Sequence, residues 1–324
     1  MKGVKIRRAL TRYFVLLIGL VTCASICAQS TPNQQCSQAV VSRLVGSGAA
    51  VCDGAVVQRM AAEGQAFEEN QTGIASVLSI GPDYDQKKAV EWFQRAAQHG
   101  YAPAQVNLAV MYINGWGTRV NYGAAQHWLR AAADQHFIRA YYNLGILYSE
   151  GKGVRRDNDE AFRWFQKGAE AGDSSAQTNL GYFYDEGLGC DRNPANAATW
   201  YREAAEAGNP LGENNLADLY LRGEGVKQDD AAAFAWFQKA AAQGQTGARI
   251  KLGYMYAEGR GTRKDSVAAY SWISAAANAG DPRGKELLHS IEKVLTEKQI
   301  SLAREQARRL IPLEQQFSTR NFVP

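Results

Sequence analysis

Proline is scarce in this chain, 8 in 324 residues, while glycine reaches 31. Few prolines leave long stretches free to be helical, and glycine can mark the turns between them. Histidine is scarcer still, at four: His99, His127, His136 and His289. No H-x-x-x-H, C-x-x-C or Gly-x-Ser-x-Gly element occurs, which removes the short signatures of zinc binding and of a serine nucleophile. No Ser, His and Asp trio can be assembled, so the sequence points away from catalysis and implies neither metal nor cofactor. Acidic residues are missing from positions 1–28. The apolar run in that stretch, Tyr13 to Val21, falls short of the about 20 residues of a membrane span. With 46% hydrophobic and 21% charged residues, the rest is ordinary globular material with ample length for a core.

The first 28 residues read as a secretory signal peptide. Lys2, Lys5, Arg7, Arg8 and Arg12 precede the apolar run, and small residues follow through Ala28. Cleavage is expected near Ala28, although Ile26 is a poor residue three positions before the cut. The alternatives are an uncleaved anchor and a lipoprotein processed at Cys23. Thr22 is bulkier than the Gly, Ala or Ser preferred before a lipidated cysteine. The expected location is periplasmic or secreted, with no membrane span after cleavage. Without the five basic residues of this leader, 31 basic residues face 32 acidic ones. The strong positive field that nucleic-acid binding needs is absent. Cys36, Cys52 and Cys190 remain. In an oxidising compartment Cys36 and Cys52 can close a disulfide, or stay as two thiols.

What is present is a period. Trp92, Trp128, Trp164, Trp200, Trp236 and Trp272 follow one another every 36 residues without insertion or deletion. Three before each stands an alanine (Ala89 to Ala269), and seven before stands Asp85, Asn121, Asp157, Asn193, Asp229 or Asp265. A short oxygen-bearing side chain there suits a helix N-cap. Eight after each Trp stands Gly100, His136, Gly172, Gly208, Gly244 or Gly280, which suits a left-handed helix end. These residues define helix B, and the tryptophans with their alanine neighbours are expected to be the repeat core. Before each B lies helix A, marked by Asn107-Leu108-Ala109, Asn143-Leu144-Gly145, Asn179-Leu180-Gly181, Asn215-Leu216-Ala217 and Lys251-Leu252-Gly253. A tyrosine follows each leucine by four residues, on the same helix face. Gly-x-Gly turns such as Gly187/Gly189 join A to B. They follow helices rather than strands, so they are not dinucleotide loops.

This pattern resembles the Sel-one-like repeats, relatives of the tetratricopeptide repeats; "AQTNLGYFYDEGLG" and "AAAFAWFQKAAAQG" carry the likeness. The resemblance implies an all-α fold: a right-handed α-solenoid of antiparallel helix pairs with a 36-residue period, A helices lining the inner face. The expected organisation is a signal peptide over 1–28, a loose lead over 29–52 and a degenerate first repeat over 53–102. Five complete repeats over 103–282, capping helices over 283–311 and a tail over 312–324 complete it. Asp173, Asn209 and Asp281 can cap A helices, and Thr296 with Gln299 can form a capping box.

In tetratricopeptide repeats the residue before this leucine lines the concave groove. By resemblance, Asn107, Asn143, Asn179 and Asn215 form a ladder of amides able to pair with an extended partner backbone, and Lys251 sets a positive charge at its end. The alternative is that each Asn bonds a neighbouring repeat and stabilises stacking. Trp116, inside a Gly-x-Gly turn, is either a contact site or packed on its own loop. Cys190 sits where other repeats have Thr or Val, as a buried inert thiol would. Together with the leader, the family resemblance implies an exported scaffold that binds a protein or peptide partner in its concave groove, in envelope regulation or host interaction, and is not an enzyme. Two alternatives are a β-lactam-hydrolysing or penicillin-binding activity, as in cysteine-rich members, and a cell-wall or polysaccharide-export adaptor.

Overall fold

The computed structural model describes residues 54–78 and 85–310. The proposed leader, most of the lead, the Cys36/Cys52 pair and the tail lie outside the described residues. Among those described, every regular element is a helix, and they form an α-solenoid of successive helix pairs. They divide into two compact units between Val120 and Asn121. The first holds α1 (Gly54–Leu78), α2 (Gln86–Gln98) and α3 (Ala102–Asn114). The second begins with α4 (Tyr122–Asp134), α5 (Ile138–Glu150), α6 (Asn158–Glu170), α7 (Ser174–Glu186) and α8 (Pro194–Glu206). It continues through α9 (Pro210–Arg222), α10 (Asp230–Ala242), α11 (Thr246–Glu258), α12 (Ser266–Asn278), α13 (Pro282–Glu292) and α14 (Glu297–Arg309). Even-numbered helices from α2 to α12 are B helices, and α3, α5, α7, α9 and α11 are A helices.

The period is built from local rules. Every B helix starts at its expected Asp or Asn, whose side chain accepts from N–H groups of the first turn. Every A helix ends on a left-handed glycine, Gly115 through Gly259. Asp173, Asn209 and Asp281 cap α7, α9 and α13, and the Thr296–Gln299 capping box opens α14. Three-residue turns lead from B to A and seven-residue turns from A to B. In each seven-residue turn the second glycine lies on the backbone that opens the preceding B helix: Gly225 against Pro194, Gly261 against Asp230.

The tryptophans are not the centre of the core. The residue after each one is: Phe93, Leu129, Phe165, Tyr201, Phe237 and Ile273 are at most 1% exposed. Trp92, Trp128, Trp164, Trp200 and Trp236 are half-buried, and Trp272 is buried. Neighbours on a helix point about 100° apart, so one can face the centre while the other lies at a seam. A cation three residues on covers the seam ring in three repeats: Arg95 over Trp92 at 4.8 Å, Lys167 over Trp164 at 4.5 Å, Lys239 over Trp236 at 3.9 Å. Trp272 differs because α13 and α14 both pack on α12. The glycine after the A-helix leucine makes room for the central ring. A β-carbon on Gly181 would stand 2.6 Å from Tyr201 Cδ1. The first unit keeps this device in α1, where Gly73 lies under Phe93 in the same way.

Candidate functional site

The candidate ladder divides once the side chains are placed. Asn107, in the first unit, is fully buried and its Nδ2 donates to Asn70 Oδ1 at 2.9 Å. It stabilises packing between repeats and offers nothing to a groove ligand, which corrects its assignment as a binding residue. In the second unit Asn143, Asn179 and Asn215 are half-buried. Asn143 and Asn179 donate to carbonyls of their own helix, Arg139 at 2.9 Å and Ser175 at 2.8 Å. Asn215 accepts from Asn214 at 3.0 Å and bonds the buried Tyr201 hydroxyl. Burial pushes that phenol far above its usual range, so it stays neutral. Lys251 does not carry a free charge: its Nζ pairs with Asp218 on α9 and lies 5.4 Å from the Phe237 ring centre.

Residues three and four apart share a helix face. Asn179 therefore lies beside Tyr182, Asn215 beside Leu211, and Lys251 beside Tyr254. Those three neighbours are among the most exposed large apolar side chains, at 46%, 53% and 44%. Ion pairs between adjacent A helices fill the space around them. Arg222 of α9 reaches Asp185 of α7 at 3.1 Å, matching the Lys251–Asp218 pair. The A-helix face thus presents aromatic, aliphatic and amide groups among inter-helix ion pairs, with exposed Glu186 and Glu258 four residues after Tyr182 and Tyr254. Sequence reading found the amides but missed Tyr182 and Tyr254, whose slot also holds Val110, Ile146 and Asp218, and Leu211, whose slot also holds Pro103, Arg139, Ser175 and Gly247, so neither slot shows a repeating residue type.

A second missed position lies three residues before the A-helix leucine: Gln105, Tyr141, Gln177, Glu213 and Arg249, with Glu69 at the matching place in α1. All six are buried. In four, the side chain donates to the carbonyl eight residues back, at the end of the preceding B helix: Gln105 to Ala97 (3.3 Å), Tyr141 to Ala133 (3.5 Å), Gln177 to Ala169 (3.4 Å) and Arg249 to Ala241 (3.2 Å). Arg249 also donates to the carbonyls of Ala275 and Leu310, at 3.4 and 3.2 Å. The two acids turn the other way and accept from the residue 30 positions ahead, Glu69 from His99 at 3.0 Å and Glu213 from Gln243 at 2.8 Å.

The remaining candidates have structural surroundings. Trp116 is half-buried and its backbone N–H donates to Met111. Cys190 is half-buried under its turn, with Sγ 3.6 Å from the Phe183 carbonyl, and burial pushes its thiol up. Among the described residues no group of three or more His, Cys, Asp or Glu could hold a metal ion, and no helix is long and apolar enough to cross a membrane.

The Sel1 repeat model matches six segments: 72–101, 102–137, 138–173, 174–209, 210–245 and 247–281. The first of these falls in the stretch read as degenerate, where Gly73 keeps the repeat's packing. No curated protein matches the chain. Among solved structures, it is similar to a protective antigen of uropathogenic Escherichia coli strains displaying an SLR fold. That similarity runs at 33% identity and TM-score 0.64, over 78% of this chain and 55% of the other. This chain therefore spans little more than half the length of that relative. It is also similar to a Sel1 repeat protein from Oxalobacter formigenes, at 32% identity and TM-score 0.63, over 66% of this chain and 88% of that one. The period, the caps, the glycine turns and these matches agree: the chain belongs to the Sel1 repeat family.

Proposed function

We propose that this protein is an exported scaffold whose A-helix face in the second unit docks an extended segment of a partner protein. The observation that carries the reading is that Tyr182, Leu211 and Tyr254 are left exposed on A helices that carry half-buried Asn179, Asn215 and Lys251. Exposed aromatics amid satisfied polar groups are what a binding surface keeps and a plain surface avoids. The inter-helix ion pairs match part of the charge there, and the exposed apolar side chains call for a segment that carries apolar side chains. Its backbone can meet the amides, which both donate and accept. Export rests on the acid-free basic leader over 1–28. The description of the Escherichia coli relative as a protective antigen fits a location open to a host.

The test is a crosslinking capture from the native envelope, followed by affinity measurements on variants. Replacing Tyr182 and Tyr254 together by Ala is expected to weaken binding at least tenfold, about 1.4 kcal/mol. The melting temperature should barely move, because exposed side chains contribute little to folding. An unchanged affinity for the captured partner would remove this face from the proposal. Finding the intact chain, Met1 included, in the cytoplasm would remove export.

A further inference from the structure

Five of the buried positions before the A-helix leucine lie in matching repeats, α3 to α11, and four of them supply a hydrogen-bond donor to the end of the preceding B helix. Gln, Tyr and Arg share no shape or charge, so what the position keeps constant is the donor. Glu213 is the exception, and it is 3% exposed. By the same eight-residue spacing its acceptor is the Ala205 carbonyl at the end of α8. The helices are close enough for this, since a β-carbon on the adjacent Gly212 would stand 3.2 Å from Ala205 N. An ionised carboxylate has no proton to donate. It can only accept, and here it accepts from Gln243 at the end of α10.

We propose that Glu213 is a proton-operated joint between α8, α9 and α10: protonated, it donates to the Ala205 carbonyl as its counterparts do, and ionised it gives that bond up. Both states keep the bond from Gln243, so the proton changes one link only. The surroundings favour the proton. Burial raises the carboxyl above its ordinary value; the Gln243 bond and the charge of Lys239, both from α10, pull the other way and do not cancel it. From α8 the facing residues are the buried alanines Ala204 and Ala205. The sign follows. A carboxyl that holds its proton more tightly when folded contributes stability fully below its unfolded value of about 4.3. That contribution is lost as pH rises through the raised folded value. Acid tightens this repeat and neutral solution loosens it, opposite to the usual salt-bridged carboxylate.

Thermal melts of the full chain at about pH 7.5 and about pH 4.5 test the joint. Glu213→Gln supplies both an amide N–H for Ala205 and an oxygen for Gln243. It is expected to raise the melting temperature by roughly 2–4 °C at the higher pH, with the gain shrinking at the lower. The mirror variant Gln177→Glu should create a second joint, lowering the melting temperature at the higher pH and recovering at the lower. For either variant, an offset from the parent that is the same at both pH values overturns the proposal, as does a Glu213→Gln protein that melts earlier at the higher pH.

Discussion

The two kinds of turn in the solenoid both favour a glycine with positive φ, and for different reasons. In the seven-residue turn, Gly225 at φ 67° has the carbonyl of Pro194 where a β-carbon would go. In the three-residue turn, Gly208 at φ 78° has nothing within 4 Å. The first glycine is demanded by space and by backbone angle together, the second by angle alone. The difference accounts for where the sequence departs from its own rule. His136, at φ 59°, is the non-glycine residue with positive φ among those described, and it occupies the open kind of turn. There its side chain is exposed and its Nδ1 is 3.2 Å from the Tyr141 hydroxyl.

Substitutions can break or sharpen this contrast. Gly225→Ala adds a left-handed penalty of about 1–2 kcal/mol to an overlap that α8 cannot relieve without moving. With overpacking of about 1–3 kcal/mol, the expected loss is roughly 2–5 kcal/mol by urea unfolding. Gly208→Ala should cost only the backbone term, about 1–2 kcal/mol. If the two alanine variants unfold at the same urea concentration, the crowding of the longer turn is not an energetic constraint. The smallest effect is expected from His136→Gly. Relief of the left-handed strain is offset by the lost bond to Tyr141, leaving a net gain below about 1 kcal/mol. A clear loss of stability in that variant would show that the histidine is held by its contacts and not merely tolerated.

The sequence made the period, the caps and the turns legible because each depends on a narrow chemical demand. An N-cap needs a short oxygen, and a left-handed turn needs glycine. The core centre escaped notice for the opposite reason. That position accepts Phe, Leu, Tyr or Ile, since it asks only for apolar volume, whereas the tryptophan beside it is conspicuous and lies at a seam. The donor position was harder still. Gln105, Tyr141, Gln177 and Arg249 have in common only what they reach, and reach is a property of the folded chain. The amide ladder reads as one set in the sequence, yet burial encloses Asn107 fully and leaves Asn143, Asn179 and Asn215 half-buried. In the apolar half of the candidate face, Tyr182 and Tyr254 share their slot with Val110, Ile146 and Asp218, and Leu211 shares another with Pro103, Arg139, Ser175 and Gly247, so no recurrence pointed to it.

Arg249 illustrates how the array is brought to an end. Its guanidinium is fully buried, yet among the described residues no carboxylate bonds it. The three carbonyls that do, from Ala241, Ala275 and Leu310, belong to the final turns of α10, α12 and α14. Helix C-termini carry partial negative charge. Three of them converge on one cation and replace its hydration shell much as a tridentate chelator replaces the water around a metal ion. Such a site is only as complete as its last arm, and that arm is the end of α14. A chain released before Leu310 would hold a buried charge with one of its three ligands missing. Formation of α14 and closure of the last repeat are therefore a single coordination event.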